Sequence, residues 1–199
     1  MAADTITYAL PPAPAPVRPR TLLIGTSFAT VAMLMYFVAL LARYFDLRAS
    51  TQATGQTWIE PGTIPLVPGG MMMFTLVMSC ITVTWALQAV KANDRSHAIL
   101  ALLLTGLFGA AVINQTAFLY TEMGLAIDDG PAALMIYVIT GSHLVAVAIG
   151  MVFLAVLAWR AMAGQYGGKQ SEGIAAAVIY WYAMVAVYPA IWYGIYIVK

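Results

Sequence analysis

The chain has 199 residues, of which 62% are hydrophobic and 9% charged, with a formal net charge of +1. A soluble domain carries about 25% charged residues, so this composition indicates an integral membrane protein, and the small net charge gives no electrostatic case for nucleic acid. One cysteine excludes an internal disulfide or a four-thiolate metal site, and two histidines are too few for a bis-imidazole haem together with a copper centre.

Residues 1–20 are a Pro/Ala-rich arm, expected to be extended and lacking the apolar stretch of a signal peptide. Residues 21–199 are expected to form one all-α domain, a polytopic bundle of five transmembrane helices with spans at about 21–45, 70–90, 97–120, 131–159 and 174–198. The first span closes on the charged cluster Arg43, Asp46 and Arg48. The connection after it is punctuated by glycine and proline and holds Trp58, a residue type suited to the membrane–water interface.

In the second span Thr75, Ser79 and Thr82 recur at four and three residues, a hydroxyl stripe fit for hydrogen bonds between packed helices. The third span has Gly106, Gly109 and Ala110 for close approach, then Asn114 and Gln115 toward its far end. An acidic loop with Glu122, Asp128 and Asp129 follows.

The fourth span carries the one ionisable group near the middle of a long apolar run, His143. Thr140 and Tyr137 precede it by three and six residues and share its face. Such a group is costly in hydrocarbon, so this face is expected to look inward. The simplest expectation is a neutral imidazole bonded to a hydroxyl or carbonyl on a neighbouring helix, with Ser79, Gln115 or a partner's backbone as candidate acceptors. In the fifth span Trp181, Tyr188, Trp192 and Tyr196 fall near one face. Pro189 deprives the carbonyl of Val185 of its usual donor, which predicts a kink there.

Orientation is read from Lys and Arg. Arg18, Arg20, Lys91, Arg95, Arg160 and Lys169 lie on one side, against Arg43, Arg48 and Lys199 on the other. The excess of positive charge predicts a cytoplasmic N terminus and a C terminus on the periplasmic, outer side. No paired carboxylates, no His-x-x-x-His or Glu-x-x-His spacing and no phosphate loop appear, so no catalytic residue, metal ligand or cofactor ligand is assigned.

The order of features resembles subunit III of the haem–copper respiratory oxidases, the cytochrome c and quinol oxidases, in a short five-helix form. The carrying residues are Met35-Tyr36-Phe37 and Tyr44-Phe45-Asp46-Leu47-Arg48, then Ser79-Cys80-Ile81-Thr82 and Asn114-Gln115. Thr140-Gly141-Ser142-His143 with Gly150, then Tyr180-Trp181, complete a collinear series over nearly all of residues 21–199. Departures fall on ionisable positions. Met33 stands where many relatives carry a buried glutamate, Phe118 and Leu119 occupy the region of a second, Ala146 replaces a second histidine, and Tyr182-Ala183-Met184-Val185 follows where His-Phe-Val-Asp is usual.

The resemblance implies a non-catalytic component of a bacterial terminal oxidase in the cytoplasmic membrane, packed chiefly on subunit I and near subunit II and other membrane subunits. Haem and copper would belong to those partners, and a structural phospholipid is the one small molecule this chain itself would hold. His143, Tyr137, Thr140, Gln115, Asn114, Ser79, Trp58 and Arg43 are the expected lipid or partner-helix contacts. Three other readings fit the same sequence: the accessory protein of a nitric oxide reductase, a small homo-oligomeric membrane carrier with His143 and Gln115 lining its path, and an assembly factor that leaves the mature complex.

Overall fold

The computed structural model describes residues 20–166 and 171–198; the basic residues Arg18, Lys169 and Lys199 used in the charge count lie outside them. Five α-helices run in order: α1 Thr21–Ala53, α2 Leu66–Lys91, α3 Arg95–Met123, α4 Pro131–Met162 and α5 Glu172–Ile191. A short π-helix, Trp192–Ile197, prolongs α5. All five are long and apolar enough to cross a membrane, and no strand occurs among the described residues. The 26 to 33 residues of α1–α4 rise about 39–50 Å, more than a hydrocarbon layer of about 30 Å needs.

The helix ends follow from local chemistry. Asp94 caps α3 by accepting the backbone N–H of His97 at 3.0 Å, and Gly124, with φ 60°, closes the same helix in the left-handed conformation that glycine adopts freely. Pro131 opens α4, where a missing N–H costs nothing. At the far end of the chain, where the sequence predicts a kink at Pro189, α5 stays α-helical to Ile191 and passes into the π-helix at Trp192.

Helices α2 to α5 close a ring in which α2 packs on α3 and α5, and α4 packs on α3 and α5. Trp181 of α5 fills its centre. A Cβ added at Gly109 of α3 would lie 3.1 Å from the indole, and one at Gly150 of α4 would lie 3.0 Å from it. Both glycines therefore make room for one large ring. Gly106 does not share that role, since nothing lies within 4 Å of its Cβ position. α1 stands outside the ring against α5 and α4, burying only Thr30, Phe37 and Tyr44. These recur every seven residues, and the half-buried Met33, Leu34, Leu40, Leu41 and Leu47 pack beside them.

α1 continues to Ala53, about two turns beyond the apolar span that ends near residue 45. The added residues include Arg48, Ala49, Gln52 and Ala53, good helix formers, and the Ser50 and Thr51 hydroxyls both donate to the Leu47 carbonyl.

Candidate helix-packing site around His143

His143 projects from the middle of α4 into the chain's interior and is 4% exposed. Its Nε2 lies 3.2 Å from the backbone carbonyl of Met184 on α5. A carbonyl only accepts, so Nε2 carries the hydrogen and donates it. The imidazole packs edge-on to Phe37 of α1, with ring centres 6.2 Å apart, and tilted against Tyr188 of α5, at 5.4 Å. One side chain thus ties three helices together. The expected inward face is present, but the acceptor is a main-chain carbonyl and neither Ser79 nor Gln115.

The other two residues of that face also bond within the chain. Thr140 Oγ1 lies 2.7 Å from the Tyr120 hydroxyl of α3, and the Tyr137 hydroxyl donates to the Leu125 carbonyl at 2.7 Å. Ser79 accepts from the Trp181 indole N–H at 2.8 Å and donates to the Leu76 carbonyl. Thr82 pairs with Thr105 of α3 at 2.8 Å, so the hydroxyl stripe of α2 joins both ring neighbours. Gln115 reaches the third member of that stripe, Thr75, at a long 3.4 Å.

Trp58, Arg43 and Asn114 complete the set. Trp58 is 6% exposed and stacks edge-on against Tyr44, with centres 5.5 Å apart. Arg43 is exposed and pairs with Asp46 at 2.5 Å. Asn114 is exposed on α3.

Several inter-helix bonds had no distinct signal in the sequence. The Tyr180 hydroxyl donates to the Ala146 carbonyl at 2.8 Å, and the Tyr188 hydroxyl to the Gly69 carbonyl at 3.0 Å. Glu172 Oε1 accepts the Leu23 backbone N–H at 3.1 Å, fastening the start of α1 to the start of α5. Asp94 was recognisable, since Asp before the run Arg95-Ser96-His97 is a helix-start pattern. Its carboxyl is held below the usual carboxylate range by the hydrogen bond from the His97 backbone N–H, aided by the His97 side chain.

Among the described residues no three His, Cys, Asp or Glu side chains gather to hold a metal ion. His143, Thr140, Ser79 and Thr82 each bond one helix to the next.

Comparison with known proteins decides the family. The family model described as Cytochrome c oxidase subunit III matches residues 16–199. This chain belongs to the cytochrome c oxidase subunit III family. Cytochrome c oxidase subunit 3 of Cyprinus carpio is 31% identical over 172 residues, covering 85% of this chain and 66% of the relative. The protein of the same description from Pongo abelii is 32% identical over 158 residues, covering 78% of this chain and 60% of the relative. The chain thus spans somewhat less than two thirds of the length of these relatives. The family match runs through all five helices, so His143, Ser79 and Trp181 lie inside the shared region.

Proposed function

We propose that this subunit III family member is a non-catalytic component of a bacterial haem–copper terminal oxidase. It packs in the cytoplasmic membrane on the haem- and copper-bearing subunit I, with subunit II and other membrane subunits nearby. The family match over residues 16–199 carries this reading, together with the name shared by the relatives, cytochrome c oxidase subunit 3. In this role the chain stabilises subunit I and sustains proton-coupled oxygen reduction, while haem and copper reside in its partners. A structural phospholipid is held by this chain itself. Its N terminus faces the cytoplasm, in keeping with the excess of Lys and Arg on that side.

Oxidase prepared from cells lacking this chain provides the test. The expected preparation keeps its haem absorption and its initial rate of oxygen reduction, but inactivates faster on heating and during sustained turnover. An initial rate abolished while the haem spectrum stays unchanged would instead place this chain in the reaction itself.

A further inference from the structure

A cavity of about 510 Å³ lies over the start of α5. Its walls are Arg20 and the start of α1, Lys91 at the end of α2, Arg160 and Tyr166 at the end of α4, and Ser171 and Glu172 at the start of α5. No residue from the middle of a helix lines it, since α5 packs on α1, α2 and α4 and begins among their ends. The cavity is therefore a cup on one end of the bundle, the end that the orientation proposed above turns to the cytoplasm. Its volume is that of a small-molecule site.

Hydrogen-bond donors dominate the cup. Arg20, Lys91 and Arg160 bring three cations, and among the described residues neither Arg20 nor Lys91 has an ion-pair partner. The one carboxylate in the wall, Glu172, already accepts the Leu23 backbone N–H at 3.1 Å. Arg160 is held in place: its Nε donates to Gln165 Oε1 at 3.0 Å, and its guanidinium lies 5.0 Å from the centre of the Tyr166 ring. The first backbone bond of α5 runs from the Ala175 N–H to the Ser171 carbonyl at 2.9 Å. The N–H groups of Glu172, Gly173 and Ile174 thus have no acceptor within the helix, and the Ser171 side chain does not cap them. The Tyr166 hydroxyl is enclosed without a hydrogen-bond partner against the same turn, 3.0 Å from where a Cβ at Gly173 would stand. Lys91 and Arg160 each sit in the last turn of a helix, where a cation answers the free carbonyls. That accounts for each alone, but not for their convergence with Arg20 and the start of α5 on one cavity.

We propose that this cup binds a soluble anion bearing two or more phosphate groups, with Arg20, Lys91 and Arg160 as its cationic contacts and the first N–H groups of α5 as its neutral ones. Phosphate fits this donor set because guanidinium groups grip its oxygens in pairs and a helix start offers it backbone N–H groups. Three cations against one engaged carboxylate favour more than one negative charge. The cavity exceeds a pyrophosphate group and leaves room for an organic remainder. A phospholipid headgroup presents the same phosphate but brings acyl chains, and the cup is walled by helix ends with no lipid-facing flank among them. The site goes beyond the function proposed above and does not depend on it.

The full chain in mild detergent, at physiological ionic strength, is titrated calorimetrically with inorganic pyrophosphate. The expected result is one saturable site per chain and a melting midpoint raised by the ligand. Arg160→Gln and Lys91→Gln should each weaken binding severalfold, the double variant more than either, and Arg160→Lys less than Arg160→Gln. Arg43→Gln, at the other end of α1, should bind like the parent. The substituted side chains are exposed, so melting without pyrophosphate should match the parent, which separates a lost contact from a damaged fold. No saturable binding, or binding that the double variant keeps in full, would overturn the proposal. So would phosphatidylglycerol that co-purifies with the parent, is lost from the double variant and is not displaced by pyrophosphate, an outcome that assigns the cup to a lipid headgroup. Pyrophosphate binding by a chain that brings down no haem-bearing partner would support the site while sinking the function proposed above.

Discussion

His143 donates one hydrogen bond to a carbonyl of α5 and fills the space between Phe37 and Tyr188. Inter-helix bonds in membranes contribute about 0.6–2 kcal/mol, so His143→Ala should destabilise the solubilised protein by about 1–2 kcal/mol once lost packing is included. A thermal melt in mild detergent measures this, and a midpoint equal to the parent's would deny His143 a fastening role. Asp94 gives a pH signature at the same scale. Its carboxyl is held below the ordinary carboxylate range by the His97 backbone N–H, so its contribution to stability is present above the unfolded value of about 3.9 and fades as pH falls through the lower folded one. The difference in melting temperature between the parent and Asp94→Ala should therefore be largest near neutrality and shrink on acidification below that value.

That His143 looks inward was legible from one ionisable group in a long apolar run. Its acceptor was not, because a backbone carbonyl on α5 has no side-chain signature and is brought near only by the packing of α4 on α5. Trp58 was readable as an aromatic residue of the connection, but its partner was not, since only the packing brings its ring edge-on to Tyr44.

At the scale of elements, glycines separate tight contacts from open ones. A Cβ at Gly69 of α2 would lie 2.7 Å from the Tyr196 ring, whereas at Gly106 of α3 it meets nothing within 4 Å. Gly69→Ala should therefore cost about 1–3 kcal/mol by forcing the buried tyrosine aside. Gly106→Ala should be neutral or stabilising by up to about 1 kcal/mol, through better helix propensity. Melts of the two variants side by side check this, and equal losses would mean that the α2–π-helix contact is looser than described. The five helices themselves were readable from hydrophobic length. Their ends were less so, since hydropathy marks where a helix leaves the apolar layer, while α1 continues to Ala53 on the helix propensity of its residues. The sequence also grouped Gly106 with Gly109, although the two face different surroundings: spacing alone does not say which side of a helix has a neighbour.

For the whole molecule, the ring α2–α5 is closed by bonds that each helix shares with its neighbours, and α1 is attached along one face, by the Tyr36–Ser142 hydrogen bond and at the Glu172–Leu23 contact. Such a body holds its own shape while offering broad lipid- or protein-facing sides. The central claim is that these sides meet a haem-bearing oxidase subunit. Affinity purification of the tagged chain from gently solubilised membranes, read by visible spectroscopy and mass spectrometry, tests this most directly. The account predicts haem absorption co-eluting in fixed ratio with the chain and an oxidase subunit I in the same fraction; a chain recovered intact, in the mildest detergent, with no haem-bearing partner would contradict it.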